Sequence, residues 1–309
     1  MTRILLTGGS GFLGTALLGS AVFSDAVVAG RTRPTATNKF VSMQLDSSSD
    51  YTDILGGIDV VVHVAARAHV MDDASSDPLS EFRNINTLAT LNLAGQAANL
   101  GVKRFVFISS IKVLGETTEG RPPFSYLDAL NAQDPYGVSK AEAETGLREI
   151  AERSNMEIVI IRPPLVYGKG VKGNFAKLLY LTSLELPLPL RSVGNKRSLV
   201  AVENLVDLIC ICITHERAKN QVFLVSDGND MSTPELLSLI SKTGNFKSRL
   251  FGVPKWLLLF ASMCLGKLAV YERLCGSMEV DISHTRSVLE WDPPFDPEDC
   301  IQNCWPKNT

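Results

Sequence analysis

The chain has 309 residues, 45% of them hydrophobic and 20% charged, with a formal charge of -3 at neutral pH. That balance suffices for one large or two intimate folded units and argues against disorder. Charges are spread without a long basic run, which excludes nucleic acid as a partner.

The opening Met1-Thr2-Arg3-Ile4-Leu5-Leu6 runs into glycines rather than towards a small-residue cleavage site, so it reads as a strand and not as a signal peptide. Thr7-Gly8-Gly9-Ser10-Gly11-Phe12-Leu13-Gly14 follows and leads into a helical stretch, Thr15 to Leu18. A glycine-rich turn between strand and helix lets backbone approach a pyrophosphate at the helix N-terminus. Dinucleotide binding through Gly8, Gly11, Phe12, Leu13 and Gly14 is therefore expected.

Val27 to Ala29 reads as a second strand. A site selective for NAD would place a carboxylate at its end, against the ribose hydroxyls. Gly30-Arg31-Thr32-Arg33 stands there instead, and a guanidinium grips a 2'-phosphate. NADP(H) is thus expected over NAD(H), with solvated loop arginines as the plainer reading. Asp46 is a candidate acceptor for the adenine amino group, or else a simple turn aspartate.

Val60 to Val64 reads as a third strand, whose His63 suits a hydrogen-bonded core position better than a catalytic one. Phe82 to Leu100 has helical apolar spacing and stops at Gly101. Phe105 to Ile108 reads as a strand ending in Ser109-Ser110, and hydroxyls at a strand's carboxyl end face the ligand crevice of an open α/β sheet. A helix from Pro135-Tyr136 through Glu149 would carry Tyr136 and Lys140 four apart on one face. A phenol titrates at about 10, and a neighbouring ammonium lowers that value, so the pair suits acid-base work. Ile158 to Ile161 completes the run of strands.

Alternation of such strands with helices predicts a parallel sheet with crossovers, covered on both faces. After Tyr167 prolines and glycines punctuate the chain, which suggests residues 1–165 and 166–309 as two units. Val222 to Val225 reads as a further strand, assignable to the first of these as a returning one. The six cysteines, Cys210, Cys212, Cys264, Cys275, Cys300 and Cys304, lack the spacing of a metal site and are expected as free thiols, as in a reducing cytoplasm. Trp256 to Leu265, continuing to Tyr271, is broken by Gly266 and Lys267 and is too short to span a bilayer. A packed helix is expected there, with a membrane-surface helix as the alternative.

The motifs TGGSGFLG, HVAA at His63 to Ala66, NINTLATLNLAGQAANLGVKRFVFISS at Asn84 to Ser110, YGVSK, RPPLVYG at Arg162 to Gly168 and RSLVAVENLVD at Arg197 to Asp207 together resemble the extended short-chain dehydrogenase/reductases. These are the sugar-nucleotide epimerases, dehydratases and ketoreductases, and the resemblance covers nearly the whole chain. It implies an α/β fold: a Rossmann-like doubly wound parallel sheet with a smaller C-terminal α/β substrate-binding domain. It further implies Ser110 as catalytic hydroxyl, Tyr136 as acid or base, and Lys140 on the nicotinamide ribose. Ser109 would be structural support, and Ala65, Ala66 and Pro163 would join the cofactor site. A UDP-sugar substrate would meet a diphosphate clamp of Asn174, Arg197 and Arg273, with Leu188-Pro189-Leu190 beside the uracil. A homodimer through the Tyr136–Lys140 helix is also implied.

The chain departs from that pattern at Leu165, where many relatives have asparagine, and at Leu114, where tyrosine is common. Ile111-Lys112 replaces the Asp-Glu with which dehydratases eliminate water, so dehydration is not expected. Two reactions remain: reduction of a 4-keto sugar and 4-epimerisation. The C-terminal half resembles the branch that reduces UDP-4-keto-6-deoxy-N-acetylglucosamine, a route towards bacterial surface polysaccharides such as lipopolysaccharide O-antigen. The reductase is therefore expected, with the epimerase as alternative. A non-catalytic dinucleotide sensor would need no Ser110, Tyr136 and Lys140 together; a membrane-associated steroid-type dehydrogenase has only the apolar 256–271 segment in its favour.

Overall fold

Strands that are apolar without alternation, such as Val60-Val61-Val62, need cover on both faces, and both faces are covered. The structure is a computed structural model and describes residues 2–37, 39–68 and 77–305. Among these residues nine strands form: β1 (Ile4–Thr7), β2 (Val27–Gly30), β3 (Phe40–Ser42), β4 (Val60–His63), β5 (Arg104–Ile108), β6 (Glu157–Arg162), β7 (Leu165–Tyr167), β8 (Leu199–Ala201) and β9 (Val222–Leu224). Seven of them make one parallel sheet in the order β3-β2-β1-β4-β5-β6-β9. This is the doubly wound arrangement, whose order reverses beside β1 and opens a crevice at the strands' carboxyl ends.

Ile4, Leu6, Val60, Val62, Val106 and Ile108 face the layer built by the helices Phe12–Leu18 and Val202–Thr214. Leu5, Val61, Phe105 and Phe107 face the opposite layer, with Leu93 and Ala97 of the helix Ala89–Asn99 and Ala143 and Leu147 of the helix Pro135–Glu152. The helix expected over residues 82–100 is longer at its start. It runs from Pro78 through a wide turn at Arg83–Leu88 into Ala89–Asn99.

A second, two-stranded sheet pairs β7 with β8. It packs with the helices Gly173–Ser183, Thr233–Gly244 and Pro297–Gln302 around Tyr167, Phe175, Leu236 and Ile301. The two assemblies meet where the segment after Ser110 pairs with residues 277–281. Thr118 donates to the Ser277 carbonyl at 3.0 Å, and Phe124 donates to that of Glu279 at 2.8 Å.

The apolar segment after residue 255 is not the packed helix expected from its composition. It folds as two helices, Lys255–Cys264 and Leu268–Cys275, and the first has no buried residue. Gly266 at φ +63° turns the chain between them, and only one side of the pair, through Leu258, Tyr271, Leu274 and Cys275, meets the core. No helix among the described residues is long and apolar enough to cross a membrane.

Candidate functional site

Parallel register brings the sequence's chemical signals to one level. Thr7 pairs with Ala29 and His63, and His63 pairs with Phe107. Gly8, Arg31, Ala65, Ser109 and Ser110 each follow one of these residues by one to three positions, and all lie at the crevice. Gly8 has φ +78°, and a Cβ there would stand 2.6 Å from the Ala65 nitrogen. A Cβ on Gly14 would lie 2.2 Å from the Gly8 carbonyl oxygen. The helix Phe12–Leu18 starts at Gly11 with no side chain capping its first turn. Close-packed glycines and uncapped amides suit the pyrophosphate of a dinucleotide. Phe12 and Leu13 are half-buried, Leu13 against the core.

Arg31 and Arg33 are exposed just beyond β2. Asp46 closes its own turn: its carboxylate accepts from the Ser48 amide at 2.8 Å, the Ser49 amide at 2.7 Å and both serine hydroxyls. The Ser48 amide, with the serine hydroxyls, holds its pKa below the usual carboxylate range. Ala65 is half-buried and Ala66 exposed, while Pro163 is buried with its carbonyl accepting from the Ile111 amide at 2.9 Å.

The helix Pro135–Glu152 begins with proline at its first turn and Asp134 as cap, the Asp134 carboxylate accepting from the Gly137 amide at 2.6 Å. That start puts Tyr136 over the end of β5. Burial pushes its phenol up to about 12, Asp134 adds to this, and the hydrogen-bonded Ser110 hydroxyl works the other way. One turn on, the Lys140 ammonium donates to the Ile108 carbonyl at 2.9 Å and lies 4.5 Å from the centre of the Phe107 ring. Burial pulls Lys140 down to about 7, against the opposing charge of Glu144. Ser110, Tyr136 and Lys140 thus form one cluster, in which burial has the largest influence on the phenol.

Ser109 turns the other way and donates to Glu144 at 2.6 Å, which also holds Arg162 through two hydrogen bonds of 3.0 and 2.6 Å. Sequence reasoning missed this buried ion pair, and it missed Asn86. The wide turn at Arg83–Leu88 aims Asn86 so that it accepts from the Arg67 amide at 2.8 Å and donates to the Ser139 hydroxyl at 3.0 Å. None of Glu144, Arg162 and Asn86 carries a spacing signal, because each finds its partners on other elements of the fold.

Lys112, two residues past Ser110, pairs with Asp134 and, at 3.2 Å, with Glu116. Burial disfavours its charge, but the two carboxylates prevail and raise its pKa. A lysine whose charged form is favoured is poorly suited to serve as the base of an elimination.

The three clamp candidates come together although 99 residues separate the outer two. Arg273 donates to the Asn174 side-chain oxygen at 3.3 Å, and Arg197 donates to the carbonyls of Arg273 at 3.1 Å and Gly276 at 3.0 Å. Burial lowers the Arg197 pKa while Glu116 opposes this. Leu190 is buried with Val193 and Leu237, which turns it towards the protein core.

His63 is buried, with Nδ1 2.7 Å from the Thr7 hydroxyl and Nε2 2.9 Å from that of Thr90. It is a satisfied core histidine, and burial first, then Lys140, lowers its pKa to about 3. An unfolded histidine titrates at about 6.5, so the stability this neutral ring contributes is complete above that value and is lost as pH falls towards 3. Urea unfolding is expected to show a loss of about 2 kcal/mol from this group between about pH 7 and about pH 5. His63→Gln should lack that increment; an unchanged slope would remove His63 from the acid response.

No group of three or more histidine, cysteine, aspartate or glutamate side chains among the described residues is placed to hold a metal.

Comparison with known proteins matches this arrangement. The model of the NAD dependent epimerase/dehydratase family matches residues 4–226. A Vibrio cholerae protein named UDP-glucose 4-epimerase is 49% identical over 298 residues, 94% of this chain and 90% of that protein. An Escherichia coli O157:H7 protein named N-acetyl-alpha-D-glucosaminyl-diphospho-ditrans,octacis-undecaprenol 4-epimerase is 28% identical, with 86% of this chain and 80% of that one covered. Among solved structures, UDP-glucuronic acid 4-epimerase from Bacillus cereus in complex with NAD superposes with a TM-score of 0.76 at 19% identity, covering 98% of this chain and 97% of that one. UDP-glucose 4-epimerase from Thermotoga maritima with UDP-glucose gives 0.77 at 18%, with the same coverages. At such identities these two likenesses are of fold alone. The family match and the 49% relative extend to the sequence, and the chain belongs to the NAD dependent epimerase/dehydratase family.

Proposed function

We propose that this chain is a UDP-sugar 4-epimerase that works with NAD. The observation that carries the reading is the Ser110, Tyr136 and Lys140 cluster at the carboxyl end of β5, supported by the 49% likeness to a protein named UDP-glucose 4-epimerase. It departs from the reductase expected from the C-terminal half.

When bound, nicotinamide supplies a hydride acceptor and donor. The chain's own residues handle the proton and the oxygen. Tyr136 takes the proton of the C4 hydroxyl as the carbon is oxidised and returns it on reduction from the other face. Ser110 donates to the same oxygen and holds it near the phenol. Near neutral pH Lys140 is poised between its two charge states, and its ammonium form favours the phenolate. Asn174, Arg197 and Arg273 grip the substrate diphosphate, guanidinium groups matching its oxygens.

The test is purified protein with UDP-glucose or UDP-N-acetylglucosamine, followed by NMR. Interconversion with the galacto form and no net consumption of cofactor supports the epimerase. A second reading, reduction of a UDP-4-keto-6-deoxy-N-acetylhexosamine, is favoured by buried Leu114 and half-buried Leu165, which make the sugar end less polar. Stoichiometric oxidation of NADH or NADPH with that substrate would select it and overturn the first.

The NADP(H) expectation rested on Arg31 and Arg33, whereas the family description names NAD and the Bacillus cereus neighbour was solved with it. Calorimetry is expected to show tighter binding of NADH than NADPH. Arg31→Ala should weaken NADPH by about tenfold or more, as loss of a charged hydrogen bond does, and NADH hardly at all. Equal losses would mean that Arg31 does not reach the 2'-position.

A further inference from the structure

The helix pair Lys255–Cys264 and Leu268–Cys275 has a surface that the dinucleotide and sugar sites leave unexplained. Leu258, Tyr271 and Leu274 pack inward against Leu190, Val193 and Leu237. The outward side is apolar too: Trp256, Phe260, Met263 and Leu265 are 69%, 61%, 63% and 72% exposed, with Leu268 and Val270 beside them in the sequence also exposed. A surface helix ordinarily turns a charged face to water opposite its buried stripe. Here the first helix carries no charge after Lys255 at its start, and the second carries only Glu272 and Arg273 near its end.

Charge says what covers it. From Asn245 to Cys275 the chain carries Lys247, Arg249, Lys255, Lys267 and Arg273 against a single carboxylate, Glu272, in a protein whose net charge is -3. All five cations are exposed. Lys255 opens the first helix and Lys267 flanks the start of the second, with no acidic residue in either first turn. A cation at a helix N-terminus opposes the helix dipole and gains from an external anion. Lys255 has Glu119 at 2.8 Å as an internal partner, while Lys267 lies at the exposed turn. A second copy laid on this face would bring the same cations against their own kind. An anionic headgroup layer would neutralise them while the acyl boundary takes up the apolar side chains.

We propose that residues 255–275 dock this protein on an anionic lipid bilayer surface. Trp256 lies at the headgroup level, Phe260, Met263, Leu265 and Leu268 enter the acyl boundary, and Lys267 reaches back to the phosphates. The second helix carries Arg273, so docking sets the Asn174–Arg273 contact close to the membrane. The docking does not depend on which sugar the site takes.

The test is flotation of the full chain with vesicles of phosphatidylcholine alone or mixed with phosphatidylglycerol. Binding to the mixed vesicles is expected, weakening as salt rises. Lys267→Glu should weaken it by about tenfold or more, since each cation near such a surface contributes about fivefold. Phe260→Asp with Leu265→Asp should abolish flotation while leaving NAD binding and sugar interconversion unchanged, because both side chains point to solvent. On the unaltered protein, brominated lipid should quench Trp256 fluorescence, and Trp256→Phe should lose that component. Absence of flotation with either vesicle, or flotation unchanged by the double substitution, overturns the proposal. So does a dimer that the double substitution splits without any vesicle binding, which would assign the face to a second copy.

Discussion

Tyr136→Phe is expected to lower kcat by about a thousandfold, the scale of a lost general acid-base group. The substitution removes one oxygen and keeps the ring, whose edge meets Phe82 at 6.0 Å between centroids. Folding and cofactor affinity should therefore stay near wild type, with KM little changed. Only the proton route is lost. Burial holds the phenol up at about 12, so it needs a neighbouring cation to act as the base. Single-turnover measurement of sugar interconversion beside a calorimetric NAD titration checks both halves. Retained turnover would remove Tyr136 from the chemistry; lost NAD binding would give it a structural role instead.

The second large effect is on stability. Glu144 and Arg162 are 0% and 1% exposed, and Ser109 donates to the same carboxylate. Glu144→Leu leaves a buried guanidinium without its counter-ion, which costs about 3–5 kcal/mol. Replacing both partners, Glu144→Leu with Arg162→Met, should recover most of that loss, since an apolar pair of similar volume needs no compensation. Urea unfolding of the four proteins of the cycle gives the comparison, and additive losses would contradict a coupled pair. Activity carries a second signature. Glu144 lies one turn from Lys140 and supports its charge, so Glu144→Leu should depress Lys140 below about 7 and move the pH profile of any step that needs the ammonium to lower pH.

Local physics made much of the fold readable. The glycine turn after β1, the continuous apolar strands and the four-residue spacing of Tyr136 and Lys140 depend on backbone geometry over a few residues, and each lies where that geometry puts it. His63 was readable as a core residue because it stands inside an apolar strand.

What tertiary structure alone decided depends on partners distant in the chain. β3, β7 and β8 have three residues each, too few to show a period, and exist because β2 and each other supply the pairing. Asn174, Arg197 and Arg273 show only as a resemblance along the sequence, and become one cluster when the segments around residues 174, 197 and 273 converge. The desolvation that raises the Tyr136 phenol has no signal in the four-residue spacing, because it belongs to the folded surroundings rather than to the helix. The apolar 256–271 segment has the composition of a core element. Whether such a helix is covered depends on what the rest of the fold places over it, and here the fold covers one side only.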